Sequence, residues 1–386
     1  MATTVQAEAP AIRSVPPRAS GAAGRYVFVD QLRGLIIALM GLDHASNYFN
    51  VAWKQVTYNN FLFDSGGQFV LRYLSYLCAP GFLMLAGAMV WLSIQRRMSQ
   101  GARLGPARLG LIQRGAFLIL VQLVWVNASW GGFSRFRLDH FGIIATIGAA
   151  IILLALVVHW SWRLRVGLAL IILLIHPLLL KIPYDPSQMT LGTRLMWLFV
   201  DAAEWNLYPI LPWFALSVLG SVAGEAWFRL WPAEKRLRNT ALAGLVGIVL
   251  FFVVRIPGGY GNILPFDRVG SISFFFVQKY PTSLAHNFLF PGLVMLFAAL
   301  FMAIGLQLRR LLHPLEVYGR TPFFFYIIHI PLLAIVTRQL HLFPYRQGEV
   351  GTTLLAWVGL LIVMYPLCRW FGGIKARTKS ALIRMM

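Results

Sequence analysis

Charge is what this 386-residue chain has least of: Asp, Glu, Lys and Arg make up 12% of it, about half of the roughly 25% usual in a soluble domain. That shortage excludes an ordinary soluble fold. Acidic residues are scarcer still, 13 against 34 Lys and Arg, and in a soluble protein the resulting +21 would point to nucleic acid. Here the basic residues stand in short loops between apolar runs, where they set topology and meet anionic headgroups, so the expected partner is the lipid bilayer and not nucleic acid. The two cysteines, Cys78 and Cys368, both fall inside apolar runs and support neither a disulfide framework nor a metal cluster. No zinc motif, glycine-rich phosphate loop, serine nucleophile elbow or internal repeat is recognisable, so no metal is expected and an inverted-repeat transporter has no support.

Hydrophobicity is what the chain has in abundance, at 58% of residues with a mean hydropathy of +0.68. A hydrocarbon core about 30 Å thick needs about 20 helical residues to cross. By that ruler the fold class is all-α, a polytopic helical membrane protein of about ten transmembrane helices. They are expected near Val27–Phe49, Phe69–Ile94, Leu109–Val126, Leu138–Val158, Leu164–Leu180, Leu207–Trp227, Ala241–Val254, Leu284–Leu306, Leu315–Leu340 and Val350–Phe371. The seventh is short, and Pro322 and Pro331 interrupt the ninth. Leu191–Val200 is too short to cross and reads as interfacial or re-entrant.

Residues 1–24, rich in Ala, Pro, Ser and Thr, read as a disordered cytoplasmic tail and not a cleaved secretory signal. Residues 25–373 form the membrane domain, and 374–386 a basic cytoplasmic tail. The tails and the loops beginning at Arg96, Arg163, Arg229 and Arg309 hold 22 Lys and Arg, the opposite loops hold 11, and Arg33 lies within the first span. That asymmetry puts both termini in the cytoplasm.

A charge inside a span costs about 2.5–3.5 kcal/mol on insertion scales, so each one needs a reason. The first span holds four ionisable groups: Asp30, Arg33, Asp43 and His44. Asp30 and Arg33, three apart, can pair locally. Arg33 and His44 are eleven apart, which brings them within about 20° of the same face and about 16.5 Å apart along the axis. A fixed cation and a titratable imidazole thus look into one interior, whereas Asp43 points about 100° away from its neighbour. An interfacial histidine bonded to an adjacent helix is the plain alternative.

In the ninth span His329 stands two residues before Pro331, whose missing N–H frees a carbonyl for side chains or ligand. Tyr326 lies one turn before His329 and shares its face. Arg320 and His329, nine apart, would oppose each other on an unbroken helix. Arg72, His140, Asp201, Glu204, Lys279 and His286 gather at the opposite ends of the spans. His159, His176, His313 and His341, at span ends, read as interfacial.

The stretch Val29–His44, VDQLRGLIIALMGLDH, resembles the catalytic membrane domain of heparan-α-glucosaminide N-acetyltransferases and their bacterial relatives. Further matching stretches are Arg72–Gly87, Asn206–Gly220, Lys279–Leu284 and Tyr318–Leu333, in order along nearly the whole chain beyond the tail. At position 76, where bacterial relatives often carry histidine, this chain has Tyr76.

The resemblance implies a multi-pass protein of the cell membrane, the bacterial inner membrane by the relatives. It would transfer an acetyl or similar acyl group from cytoplasmic acyl-coenzyme A to an extracytoplasmic, carbohydrate acceptor. His44 and His329, with Asp43, are then the catalytic candidates, His44 acting as base or as transient acyl carrier. Arg33, Arg320 and Asp30 are assigned to the coenzyme, whose phosphates suit charge-assisted bonds. Arg72, Lys279, Tyr326, His140 and His286 are assigned to the acceptor. A transporter or flippase using the same buried charges is the competing class, a structural subunit is a third, and a homodimer is left open.

Overall fold

The computed structural model describes residues 26–54, 65–134, 138, 140–378, 380 and 383. The 1–24 tail, most of the loop after the first helix and most of the chain end beyond 378 lie outside the described residues. The described residues contain helices and no strands. Eight helices among them are long and apolar enough to cross a membrane, and the protein is an all-α polytopic membrane protein.

The principal helices are α1 (Val27–Phe49), α2 (Gly66–Ser75), α3 (Cys78–Ser99), α4 (Leu104–Val121), α5 (Ile143–Val157), α6 (Trp162–Leu179), α7 (Ile210–Glu225), α8 (Ala233–Arg255), α9 (Leu284–Ile304), α10 (Arg309–Arg320), α11 (Pro322–Ala334) and α12 (Val350–Arg377). The expected second span is two helices meeting at Tyr76–Leu77, and the expected ninth is two as well. Leu191–Phe199 is a nine-residue helix, as its length required.

α1 is not among the eight, because Asp30, Arg33 and Asp43 lower its apolar character. It is nevertheless the centre of the bundle, packed against α2, α3, α9, α10, α11 and α12. Most of its side chains are buried in protein, which is what allows it to carry ionisable groups at membrane depth. α8 and α12 show the opposite pattern, with only 17% of their apolar windows buried and Leu and Val turned outward.

Small residues set how closely the helices approach. Gly34 and Gly319 let α10 lie directly on α1: a Cβ at Gly319 would run into the Asp30 carbonyl, and one at Gly34 into Leu315. The loss of helical geometry at Thr321, φ −131° and ψ 46°, ends α10, and Pro322 at the first position starts α11. Arg320 and His329 therefore sit on separate helices, and the opposition expected on one continuous helix does not apply.

Candidate active site

The site is built along α1. At its N-terminal end Arg33 Nη1 donates to Asp30 Oδ1 at 3.1 Å and to the Gly319 carbonyl at 2.8 Å. Arg33 faces a cavity of about 320 Å³ shared with Arg114, Arg320 and Lys375. Arg320 Nη2 also pairs with the buried Glu316 at 3.0 Å, a carboxylate that Arg309 and Gln31 reach too. Arg114 has no carboxylate or hydrogen-bond partner among the described residues and feels the like charges of Arg33 and Arg97. The rest of the cavity is mostly apolar wall from α3, α4 and α5, including Leu85, Met89, Leu111 and Ile147. Such a cavity takes a molecule with a polyanionic end and a less polar arm.

Seven residues along α1 from Ile37, which lines the cavity, His44 meets His329. Nδ1 of His44 is 2.6 Å from Nε2 of His329. The ring planes lie within 3° of parallel with centroids 4.9 Å apart, so the rings meet edge to edge. Nδ1 of His329 is 2.9 Å from the Phe325 carbonyl. A carbonyl only accepts, so that nitrogen carries the proton, and with neutral rings the order of donors is fixed. Nε2 of His329 accepts from Nδ1 of His44, which leaves Nε2 of His44 as a lone-pair nitrogen with no protein partner among the described residues.

Aromatic side chains hold the pair in place. Trp130 meets the His44 ring edge-on with centroids 4.9 Å apart, and its carbonyl accepts from the Tyr48 hydroxyl at 3.0 Å. Trp125 donates its indole N–H to the Ile327 carbonyl at 2.8 Å. Pro331 cannot supply the helical N–H that this carbonyl would receive, so the freed acceptor anticipated from the proline is taken by a side chain. Tyr326 lines the cavity and packs edge-on against both histidines, with centroids 6.1 Å from His44 and 5.6 Å from His329.

Past the histidines lies a second polar group of residues. Asp43 turns away from His44, as the helical angle requires, and its charge acts on Arg72, Lys279, Tyr280 and Tyr326. Arg72 lies 4.2 Å over the Trp53 ring and 5.7 Å from that of Tyr76, and Lys279 Nζ is 5.1 Å from the ring centres of Tyr76 and Tyr280. Lys279, in the loop ahead of α9, is held below its ordinary range by burial, with Asp43 opposing. His286 packs 5.9 Å from Tyr76.

The structure thus brings His44, His329 and Tyr326 together, Arg33 and Arg320 together, and Asp43, Arg72, Lys279 and His286 together. Asp30 binds Arg33 and does not line the cavity. His140 stands apart, its Nδ1 donating to the Glu204 carbonyl at 3.2 Å. His176, read as interfacial, is buried and donates to the Val200 carbonyl at 2.8 Å. Among the described residues no group of His, Cys, Asp and Glu is placed to hold a metal ion.

Sequence reasoning missed Arg114, Lys375, Trp125 and Trp130. Arg114 had a signal, being a lone arginine within an expected span. The other three lie at span ends, where Trp and Lys are ordinary.

The family described as Heparan-alpha-glucosaminide N-acetyltransferase, catalytic, matches residues 25–254, more than half of the chain. No curated protein matches it.

Proposed function

The chain belongs to the heparan-α-glucosaminide N-acetyltransferase catalytic family and is a transmembrane acetyltransferase, and from that premise we propose that it carries acetyl from coenzyme A, bound at the Arg33 end of α1, to a carbohydrate acceptor bound at the His44 end. The observation that carries this reading is the relay from the Phe325 carbonyl through His329 to His44, next to a cavity rich in arginine.

In this reading Arg33, Arg114, Arg320 and Lys375 hold the coenzyme's phosphates, and its arm runs along the apolar wall to Tyr326. The acceptor's O–H or N–H attacks the thioester carbonyl while its proton passes to Nε2 of His44. The new C–O or C–N bond forms, the C–S bond breaks, and the thiolate leaves and takes the proton back from His44. His329 receives the Nδ1 hydrogen bond throughout, so it keeps Nε2 of His44 free to accept. Tyr326, in contact with the cavity and with both histidines, separates donor from acceptor until the two meet at His44.

Removing a general base typically costs about 10²–10⁴ in rate, so His44→Ala is expected to bind acetyl-coenzyme A normally and to transfer acetyl slower by that factor. Acetyl transfer by the purified variant at the wild-type rate would remove His44 from the mechanism.

A further inference from the structure

The transfer step leaves unused the charges gathered round Tyr76. Arg72 and Lys279 are only 6% and 3% exposed, and both lie against the Tyr76 ring. Neither forms an ion pair among the described residues, although Asp43 is close enough to act on both. Among the described residues, two buried basic side chains therefore face one carboxylate.

Three polar atoms in this cluster are buried without a partner among the described residues: Asp43 Oδ1, Arg72 Nε and His286 Nε2. The state of the last is fixed by its neighbours. The Thr282 hydroxyl donates to Asn287 Oδ1 at 2.9 Å, so it accepts from His286 Nδ1 at 2.7 Å, and Nε2 of the neutral ring is a lone pair. One donor and two acceptors are thus left open beside two basic groups that share a single carboxylate. Burying charge without compensation is costly, and at membrane depth such groups mark substrate paths.

We infer that this cluster binds an acceptor carrying an anionic group, a carboxylate or a phosphate, near the hydroxyl or amine that is acetylated. The inference rests on the acetyl-transfer reading above and narrows its acceptor. The anion lies between Arg72 and Lys279 and supplies the charge that Asp43 alone does not. The acceptor's own O–H or N–H groups meet Asp43 Oδ1 and His286 Nε2, and its nucleophile reaches His44, on which the Lys279 charge already acts. An acceptor without the anion leaves Asp43 as the one carboxylate, among the described residues, that acts on both basic groups.

The test measures thiol release from acetyl-coenzyme A by the purified protein with glucuronic acid, glucosamine 6-phosphate and dispersed phosphatidylglycerol, beside glucose and glucosamine. Hydrogen bonds to charged groups discriminate by about tenfold or more, so kcat/KM for an anionic acceptor is expected to exceed that of its neutral counterpart by at least that factor. A preference for phosphatidylglycerol would assign the anion to a lipid headgroup, and a preference for the soluble acids to a free sugar. Lys279→Gln is expected to reduce the anionic-to-neutral ratio about tenfold, and Lys279→Arg to keep it. Equal kcat/KM across the panel, or a Lys279→Gln protein with an unchanged ratio, overturns the anionic acceptor and leaves acetyl transfer standing. No thiol release with any acceptor overturns both.

Discussion

Arg33 and Arg114 differ in what else holds them. Arg33 is bonded to Asp30 and to the Gly319 carbonyl, whereas Arg114 faces the cavity with like charges for neighbours and no carboxylate partner among the described residues. Arg33→Ala is expected to weaken acetyl-coenzyme A binding, and Arg33→Lys to restore it only in part, because a point charge does not reproduce the planar fork. Arg114→Ala should weaken binding by about tenfold or more through loss of a charge-assisted contact, with no loss of fold. Calorimetry on the variants checks both, and unchanged coenzyme affinity in Arg114→Ala would remove that residue from the site.

At this scale the sequence was informative where one helix carried the whole pattern. Arg33, Asp43 and His44 could be placed by angle along α1 alone. The His44–His329 bond could not, because residues 285 positions apart meet only through the packing of α11 on α1. The open Nε2 of His44 is a further step removed, since it depends on which proton Phe325 requires of His329.

Among the elements, the junction of α1 with α10 leaves little room for change. Gly319 sits against the Asp30 carbonyl and offers its own carbonyl to Arg33, so the same contact fixes both the helix and the cation. Gly319→Ala is expected to destabilise the protein by about 1–3 kcal/mol, as overpacking does, and to lower coenzyme affinity with it. Thermal unfolding and calorimetry of the variant measure the two effects, and an unchanged melting temperature would contradict the packing account.

Helix existence was legible from apolar run length, because each expected span contains a helix. The break at Thr321 was not, since Pro322 at a first helical position and a proline that kinks a continuous helix leave the same mark in a sequence. The contact between Trp125 and the Ile327 carbonyl was half legible: Pro331 announced a free acceptor, and nothing local announced its donor.

Across the whole molecule, the ionisable groups round α1 sort into a cavity at the Arg33 end and a buried cluster round Tyr76, with the histidine pair and Tyr326 between them. From the basic-residue asymmetry we expect the Arg33 end, and both termini, on the cytoplasmic side. Reporter fusions at each terminus are expected to report the cytoplasmic side, and a terminus found outside would invert the direction of transfer.

The most direct measurement uses sealed proteoliposomes selected for one orientation, with radiolabelled acetyl-coenzyme A on the side of the Arg33 cavity and acceptor only on the other. The account predicts that label appears in the acceptor across the membrane with the wild-type protein, and that His44→Ala slows its appearance by about 10²–10⁴. Label that reaches acceptor only when it shares a compartment with the coenzyme would contradict it.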